Sequence, residues 1–321
     1  MSPPASADCV CITGPTASGK TDLALALAER FPLEIVSMDS AMVYRGLDIG
    51  TAKPKPDVRA AVPHHLVDII EPTESYSAGR FAQEATRAIA EIRARGRLPL
   101  LVGGTLLYLR ALRDGLSVLP RADVAIRAEL DRDAAAHGWQ ELHDRLRRVD
   151  PDAAARIAPA DRQRIQRALE VHALTGQSIS SLQQAGRLAR HSGVLVLALV
   201  PENRADLAAR IEQRFDAMVA RGFVAEVERL RARGDLHPDL PSMRAVGYRQ
   251  LWSHLDGRYG WEEARGKAIV ATRQYAKRQL TWLRGDPNCV VWPALAPGLV
   301  ERCLERLSKE NLIAKNVRGL C

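Results

Sequence analysis

Apolar residues along this chain fall into short continuous runs and longer periodic ones. The short runs contain many β-branched residues, which is typical of buried strands, and they cover Cys9–Thr13, Leu33–Met38, Leu66–Ile70, Leu98–Val102 and Val194–Val200. Helical periodicity follows the first run, from Leu23 to Ala28, and returns over Ser77–Arg95 before Gly96. Strands that alternate with helices predict an α/β fold with a parallel sheet and right-handed crossovers.

The pattern changes in the middle of the chain. From about Pro120 to Ser192 it is rich in Ala, Arg, Asp and Gln without a convincing strand, so we predict an all-helical insertion domain over residues 120–193. The core then comprises residues 8–119 and 194–310. Its predicted C-terminal elements are helices over Arg204–Arg221, Val224–Arg233, Arg244–Leu255 and Trp261–Arg284 and a short strand at Val290–Trp292. Residues 311–321 are predicted to be a disordered tail.

Composition narrows the class of protein. The 321 residues are 46% hydrophobic and 26% charged, which is ordinary for a globular chain. Lys and Arg outnumber Asp and Glu by 46 to 38, and this excess favours an acidic partner about as much as it favours a merely well-solvated surface. The five cysteines form no CxxC pair, and no leader or membrane segment is recognisable. We therefore expect a cytoplasmic protein with reduced thiols and no membrane partner.

A phosphate loop lies between the first predicted strand and helix. Gly14-Pro15-Thr16-Ala17-Ser18-Gly19-Lys20-Thr21 matches G-x-x-x-x-G-K-[ST] at every fixed position. Its backbone N–H groups can converge on phosphate oxygens, Lys20 adds positive charge, and the Thr21 hydroxyl can hold Mg²⁺. The strand Leu98–Val102, however, ends in Gly103-Gly104-Thr105 and not in the acidic residue that ATPases use for Mg²⁺. The loop predicts a bound polyphosphate that need not be a nucleoside triphosphate.

Asp39 follows the predicted strand Leu33–Met38, at the edge of the sheet where ligands of α/β folds bind. At this position it could bind Mg²⁺, accept a proton from a nucleophile, or cap the next helix. Thr105 could contact a substrate or cap a helix over Leu106–Leu112. Asp68, a weaker acidic candidate, and the pair His64-His65 are more typical of structural residues.

Two basic stretches fit either a solvated surface or a nucleic-acid contact. Asp161–Leu169 has the composition of a helix, and such a run is more often a solvated face. Along Trp261–Arg284, basic side chains recur on one stripe beside Tyr275 and Trp282, a combination that suits phosphates and unstacked bases. Trp282 by itself is more typical of a core residue.

Six motifs occur in order along the chain: GPTASGKT (14–21), SMDSAMVYRGLDIGTAKP (37–54), PLLVGGTLLYLRAL (99–112), DRQRIQRALEV (161–171), PSMRAVGYRQ (241–250) and KRQLTWLR (277–284). With them the chain resembles the tRNA dimethylallyltransferase family from Gly14 to about Arg284. The resemblance implies a P-loop NTPase-like fold. It also implies transfer of a dimethylallyl group from dimethylallyl diphosphate to N6 of the adenosine immediately 3′ of the anticodon, in tRNAs that read codons beginning with U. No ATP is consumed in this reaction.

The resemblance also implies roles for individual residues. Asp39 is expected to be the general base, with Lys20, Thr105 and Arg214 at the diphosphate and reacting centre and Mg²⁺ held through Thr21. Contacts with the tRNA anticodon stem-loop are implied for Asp39, Ser40, Ala41, Met42, Thr105, Arg127, Gln163, Arg164, Ile165, Gln166, Arg167, Arg244, Ala245, Val246, Gly247, Tyr248, Arg249, Lys277, Arg278, Gln279, Leu280, Thr281, Trp282, Leu283 and Arg284. The absence of paired cysteines for a zinc-binding extension indicates a bacterial-type protein, and we expect a monomer.

Two other functions fit the same loop. A small-molecule P-loop kinase that uses ATP shares the phosphate loop and the parallel sheet. A non-catalytic RNA-binding adaptor would use the loop as a nucleotide switch, and its RNA binding would respond to ATP or GTP.

Overall fold

The structure is a computed structural model that describes residues 7–310 and 312, except 116, 118, 121, 186–190 and 192. The chain divides into two compact units, one formed by Met1–Arg113 with His191–Cys321 and the other by Asp114–Arg190. Of the predicted disordered tail, residues 311–321, all but Leu312 lie outside the described residues. Within the described ranges, no helix is long and apolar enough to cross a membrane.

A parallel six-stranded sheet forms the centre of the first unit. Its strands are β1 (Cys9–Thr13), β2 (Leu33–Ser37), β3 (His64–His65), β4 (Leu98–Gly103), β5 (Val194–Val200) and β6 (Cys289–Pro293), in the order β3-β2-β4-β1-β5-β6. Every residue of β1, β2 and β4 is buried. Because both faces of these strands are covered, their sequences are continuous apolar runs and do not alternate with polar residues. The predicted α/β fold class is confirmed.

Helices cover the sheet and build the second unit. The first unit contains α1 (Lys20–Ala28), α2 (Pro56–Ala61), α3 (Ala78–Ala94) and α4 (Leu106–Asp114), which ends at the unit boundary. The second unit contains α5 (Val124–Val149), α6 (Pro151–Arg156), α7 (Arg162–Thr175) and α8 (Ile179–Ala185). The first unit continues with α9 (Arg204–Ala220), α10 (Phe223–Ala232), α11 (Tyr248–Leu255), α12 (Trp261–Arg284) and α13 (Leu299–Lys309). The second unit is helical in all its named elements.

Apolar packing makes the first unit a three-layer structure. On one face of the sheet, α1 and α13 pack their leucines, including Leu27 and Leu307, against β1, β2 and β4. On the other face, Phe81 of α3 and Leu109 of α4 pack against the same strands. A separate cluster joins α9–α12 to the segment after β2, and includes Phe215.

The structure corrects two predicted elements and adds one helix. Leu66–Ile70 is not a strand, because Leu66 and Asp68 have φ values of 60° and 57° that interrupt an extended chain. His64–His65 pairs with β2 instead, and Ile70 makes an isolated bridge with Tyr44. Helix α11 begins at Tyr248 and not at Arg244, because Gly247 has a φ of 93° that a helix does not accept. Helix α13 has no counterpart among the predicted elements.

Candidate active site

The phosphate loop joins β1 to α1, as the sequence predicts. Ala17 and Gly19 have φ values of 63° and 82°, and these left-handed residues curl the chain before α1 begins at Lys20. The N–H groups of the first helical turn have no acceptor within the helix. The Ser18 hydroxyl is also buried without a hydrogen-bond partner in the described part of the chain. Because an unpaired buried hydroxyl is costly, the loop fits a ligand rich in oxygen, such as a phosphate.

Two cations lie beside the loop. The Lys20 ammonium donates to the Pro15 carbonyl at 3.2 Å. Burial, together with the Arg214 guanidinium, lowers the pKa of Lys20 to about 8, although the charge of Asp39 opposes both effects. Burial also lowers the pKa of Arg214, against the charges of Asp39 and Asp22. Both side chains are thus partly desolvated, so a polyanion bound between them would be strongly attracted.

Asp39 is held in the turn that follows β2. Its Oδ1 accepts the N–H groups of Ala41 at 2.8 Å and Met42 at 3.4 Å. Thr105 supports the same turn, because its hydroxyl accepts the Ser40 N–H at 3.1 Å and its own N–H donates to the Met38 carbonyl at 3.2 Å. Among the described residues, Asp39 Oδ2 has no hydrogen bond. The turn therefore fixes the carboxylate and leaves one oxygen for a ligand.

Two glycines let β4 approach the Asp39 turn and the phosphate loop. A Cβ on Gly103 would lie 2.0 Å from the Met38 carbonyl oxygen. A Cβ on Gly104 would lie 2.2 Å from the amide nitrogen of Gln279. The Gly103-Gly104 pair is thus required by close packing at the carboxyl edge of the sheet.

Helix α12 contributes Tyr275 and Gln279 to the same place. The Gln279 side chain bonds to Thr16 and Gly104, and the Tyr275 hydroxyl lies 3.5 Å from the Gly104 carbonyl oxygen. Burial, together with the charge of Asp39, raises the pKa of Tyr275 to about 12. The sequence analysis placed Tyr275 beside a basic stripe and Gln279 in a segment for which the resemblance implies tRNA contact. The glycine pair at 103–104 is the one sequence signal that something packs closely there.

These groups line a cleft of about 600 Å³ within the first unit. Its polar part carries the phosphate loop, Asp39 and Arg214, and its apolar part is formed by Ile211, Phe215, Met218 and Phe223. Ile211, Arg214, Phe215 and Met218 follow each other along one face of α9, which spacing alone did not reveal for Arg214. The cleft can hold an anionic group and an apolar group side by side.

A buried carboxylate stabilises one wall of the cleft. Glu226 accepts the N–H groups of Asp48, Ile49 and Gly50 at 3.2, 2.7 and 3.2 Å. It also accepts the Tyr248 hydroxyl at 2.5 Å. Sequence reasoning did not identify Glu226, because a Glu on an amphipathic helix has no distinguishing spacing.

The same wall is held by Lys53. Its ammonium donates to the Tyr44 carbonyl at 2.8 Å and pairs with Asp48 at 2.6 Å and Asp68 at 2.5 Å. Asp68 also pairs with Arg59 at 2.7 Å. These ion pairs give Asp68 a structural role.

The side chains for which tRNA contacts are predicted differ in exposure. Those exposed in the first unit are Ser40, Arg244, Arg249, Lys277, Arg278, Thr281 and Arg284, whereas Tyr248, Gln279, Leu280 and Leu283 are buried. Ala41, Met42, Ala245, Val246 and Gly247 line the cleft. Trp282 is partly buried against the apolar clusters of the first unit. Of the buried members, Tyr248 and Gln279 also line the cleft, whereas Leu280 and Leu283 belong to the apolar clusters.

In the second unit, Gln163 and Arg164 are exposed and Ile165 is buried. Arg127 and Arg167 pair with the buried Glu170 at 2.8 Å and 2.6 Å. The pair with Arg127 joins α5 to α7, whereas the pair with Arg167 lies within α7. Both use part of the hydrogen-bonding capacity of the arginines.

The donor set beside the phosphate loop fits Mg²⁺ only together with a phosphate ligand. In the part of the chain that the structure describes, no three His, Cys, Asp or Glu side chains are grouped to hold a metal ion. Thr21 lines the cleft, with Asp22 and Asp39 nearby. Mg²⁺ commonly takes one or two protein oxygens and completes its shell with water and phosphate oxygens.

Known proteins are similar to this chain over most of its length. The family model described as IPP transferase matches residues 42–286. A tRNA dimethylallyltransferase of Burkholderia ambifaria is 59% identical over 303 residues, 93% of this chain and 94% of that protein. Another, from Cupriavidus necator, is 58% identical over 299 residues, 91% and 93% of the two chains.

Solved structures are similar over nearly the whole chain. The full-length tRNA isopentenylpyrophosphate transferase from Bacillus halodurans is 38% identical with a TM-score of 0.67, covering 94% of this chain and 97% of that one. A eukaryotic dimethylallyltransferase acting on tRNA is 26% identical with a TM-score of 0.76, covering 97% and 81%. The P-loop-like fold predicted from the sequence is therefore confirmed, and the chain belongs to the IPP transferase family.

Proposed function

We propose that this chain transfers the dimethylallyl group of dimethylallyl diphosphate to N6 of an adenosine in tRNA and releases diphosphate. The relatives named tRNA dimethylallyltransferase support this activity and its class, a prenyltransferase. The observation that carries the proposal is the cleft itself, in which a phosphate loop and the carboxylate of Asp39 face one space. We further propose that the acceptor is the adenosine immediately 3′ of the anticodon, in tRNAs that read codons beginning with U, and that the protein acts as a cytoplasmic monomer.

Asp39 is proposed as the general base. The exocyclic amine of adenine is a poor nucleophile because its lone pair is delocalised into the ring. As the N6–carbon bond forms and the carbon–oxygen bond to diphosphate breaks, the amine proton passes to the free carboxylate oxygen of Asp39. Such proton transfer contributes about 10²–10⁴-fold to the rate.

The leaving diphosphate is stabilised by groups that already lie in position. Negative charge grows on the diphosphate oxygens as the carbon–oxygen bond breaks. It is stabilised by the loop N–H groups, the Lys20 ammonium and the Arg214 guanidinium. Thr21 would hold a Mg²⁺ that arrives with the diphosphate and adds further charge neutralisation. The apolar side chains beside Arg214 exclude water from an allylic carbon that develops positive charge.

The tRNA must present its adenosine outside the anticodon-loop stack. Unstacking a base from a loop costs a few kcal/mol, which phosphate contacts can offset. The exposed basic residues on α12, Lys277, Arg278 and Arg284, are proposed to bind backbone phosphates, which position the RNA without reading its sequence.

The test is a reaction of the protein with tRNA, dimethylallyl diphosphate and Mg²⁺ in the absence of ATP. After digestion of the tRNA, mass spectrometry should detect N6-(dimethylallyl)adenosine. Phosphate transfer from labelled ATP to a small acceptor, without modified nucleoside, would support the kinase instead. Nucleotide-dependent RNA binding with no product of either kind would support the adaptor.

A further inference from the structure

Gln279 lies in a motif that predicts tRNA contact, yet both ends of its amide bond to the protein's own backbone. The residue is 4% exposed. Its Oε1 accepts the Thr16 N–H at 3.1 Å, and its Nε2 donates to the Gly104 carbonyl at 2.8 Å. The amide orientation follows from chemistry, because a backbone N–H can only donate and a carbonyl can only accept. The side chain therefore joins the phosphate loop to the turn after β4.

On the side of the loop, Gln279 acts together with Arg210. The Arg210 guanidinium, on α9, donates to the Ala17 carbonyl at 3.0 Å. Two helices thus hold consecutive residues of the loop, Thr16 and Ala17, by different polar groups. Since two of the loop's residues are left-handed, the loop has no regular structure of its own to maintain its shape.

On the side of β4, Gly104 is followed by the residue that supports the Asp39 turn. The next residue, Thr105, accepts the Ser40 N–H at 3.1 Å, and Ser40 follows Asp39. One continuous set of contacts therefore connects the phosphate loop, through Gln279, to the turn that carries the Asp39 carboxylate.

The Gln279 side chain leaves no space for a side chain at position 104. A Cβ there would meet the Gln279 amide nitrogen at 2.2 Å, and its next nearest atom would be the Gly14 carbonyl oxygen at 3.2 Å. Gly104 is not among the positive-φ residues, so alanine can adopt its backbone conformation. Removing the Gln279 amide would relieve most of the crowding.

We propose that Gln279 is a positioning residue, which sets the spacing between the phosphate loop and the Asp39 turn and does not bind tRNA. The inference rests on the proposed prenyl transfer. In such a displacement the amine must lie about 3–3.5 Å from the carbon it attacks, and a misplacement of about 1 Å can cost on the order of 10²-fold in rate.

The first test is Gln279→Leu, which keeps a similar volume without polar atoms. We expect kcat to fall by about 10²-fold, and the Kd for tRNA to stay within about twofold of wild type. The Kd for inorganic pyrophosphate, measured by calorimetry, should rise by about tenfold because the loop loses one of its two supports. A weaker tRNA affinity with unchanged kcat would overturn the proposal.

A destabilised control separates positioning from folding. Leu307→Ala removes a fully buried side chain of α13, far in sequence from the cleft residues, and lowers the melting temperature with normal kinetics of the folded protein. If Gln279→Leu behaves like this control, its role is only structural and the proposal is wrong. The pyrophosphate measurement needs no transfer, so it tests Gln279 even if the wild-type protein fails to modify tRNA, a result that would refute the proposed function alone.

A double-mutant cycle tests the contact with Gly104. Gly104→Ala alone should lower kcat about as much as Gln279→Leu, since the new methyl displaces the amide. In a Gln279→Ala background the same change should cost at most about threefold more, because only the Gly14 carbonyl remains close. Fully additive losses would contradict the proposed contact.

Discussion

Asp39→Asn isolates the chemical role of the carboxylate from its structural one. Asparagine has nearly the same shape, and its side-chain carbonyl can still accept the Ala41 N–H, which lies 2.8 Å from Oδ1 of the native residue. The turn after β2 should therefore persist. What is lost is the basic oxygen and the negative charge that faces Lys20 and Arg214.

The size of the effect follows from these two losses. Without the base, the chemical step should slow by about 10²–10⁴-fold, or about 2.7–5.5 kcal/mol at about 1.36 kcal/mol for each factor of ten. Donor binding should be unchanged or tighter, because the anionic diphosphate no longer lies near the charge of Asp39. A loss of rate with equal or better donor affinity separates the base from a residue that binds the donor.

The assay is a single-turnover reaction with labelled dimethylallyl diphosphate and excess protein, combined with a measurement of the Kd for tRNA. Asp57→Asn is the matched control, because it removes the same charge from an exposed position of α2 outside the cleft. It should change the rate by no more than about threefold, since solvent screens an exposed charge. If Asp39→Asn keeps its single-turnover rate within the same factor, Asp39 is not the base.

Three further outcomes are expected. Glu226→Ala leaves the N–H groups of residues 48–50 and the Tyr248 hydroxyl without their acceptor. The free energy of unfolding should therefore fall by about 3–5 kcal/mol, and calorimetry should show a melting temperature lower by on the order of 10 °C. Because the pKa of Lys20 is lowered to about 8, pyrophosphate affinity should decline as pH rises through that value, whereas Lys20→Arg stays charged and should show no such decline. Gly103→Ala places a methyl group 2.0 Å from the Met38 carbonyl oxygen and should lower kcat on the order of 10²-fold. Gly266→Ala, in open space on α12, should keep full activity and stabilise the helix by up to about 1 kcal/mol.

Each of these outcomes has a contrary result. A melting temperature of Glu226→Ala equal to that of wild type would mean that water or a rearranged wall satisfies the freed donors. A pyrophosphate affinity that declines equally in wild type and Lys20→Arg would assign the titration to another group. Equal kinetics for the two glycine variants would show that the approach of β4 to the Asp39 turn is not needed for catalysis.

Local sequence patterns predicted much of the fold because the responsible forces act over short stretches. Continuous apolar runs identified β1, β2, β4 and β5, since strands buried on both faces cannot alternate with polar residues. The prediction of a strand over Leu66–Ile70 was wrong, because Leu66 and Asp68 have left-handed backbone conformations. Tertiary contacts, such as the ion pair of Asp68 with Lys53, stabilise this segment, and a periodic pattern does not reveal them. Helix α13 was missed although Leu304 and Leu307 pack on the sheet.

The sequence by itself identified the phosphate loop and the family, because both depend on residue types at fixed spacing, and the resemblance to that family implied Asp39 as the base. Only the tertiary structure decided what the remaining polar residues do. Gln279 joins the phosphate loop to the turn after β4, and Glu226 accepts backbone N–H groups of the cleft wall, although no local pattern distinguishes these roles. The physical reason is that a buried polar group must find its partner wherever the fold brings one, and that partner can lie hundreds of residues away along the chain.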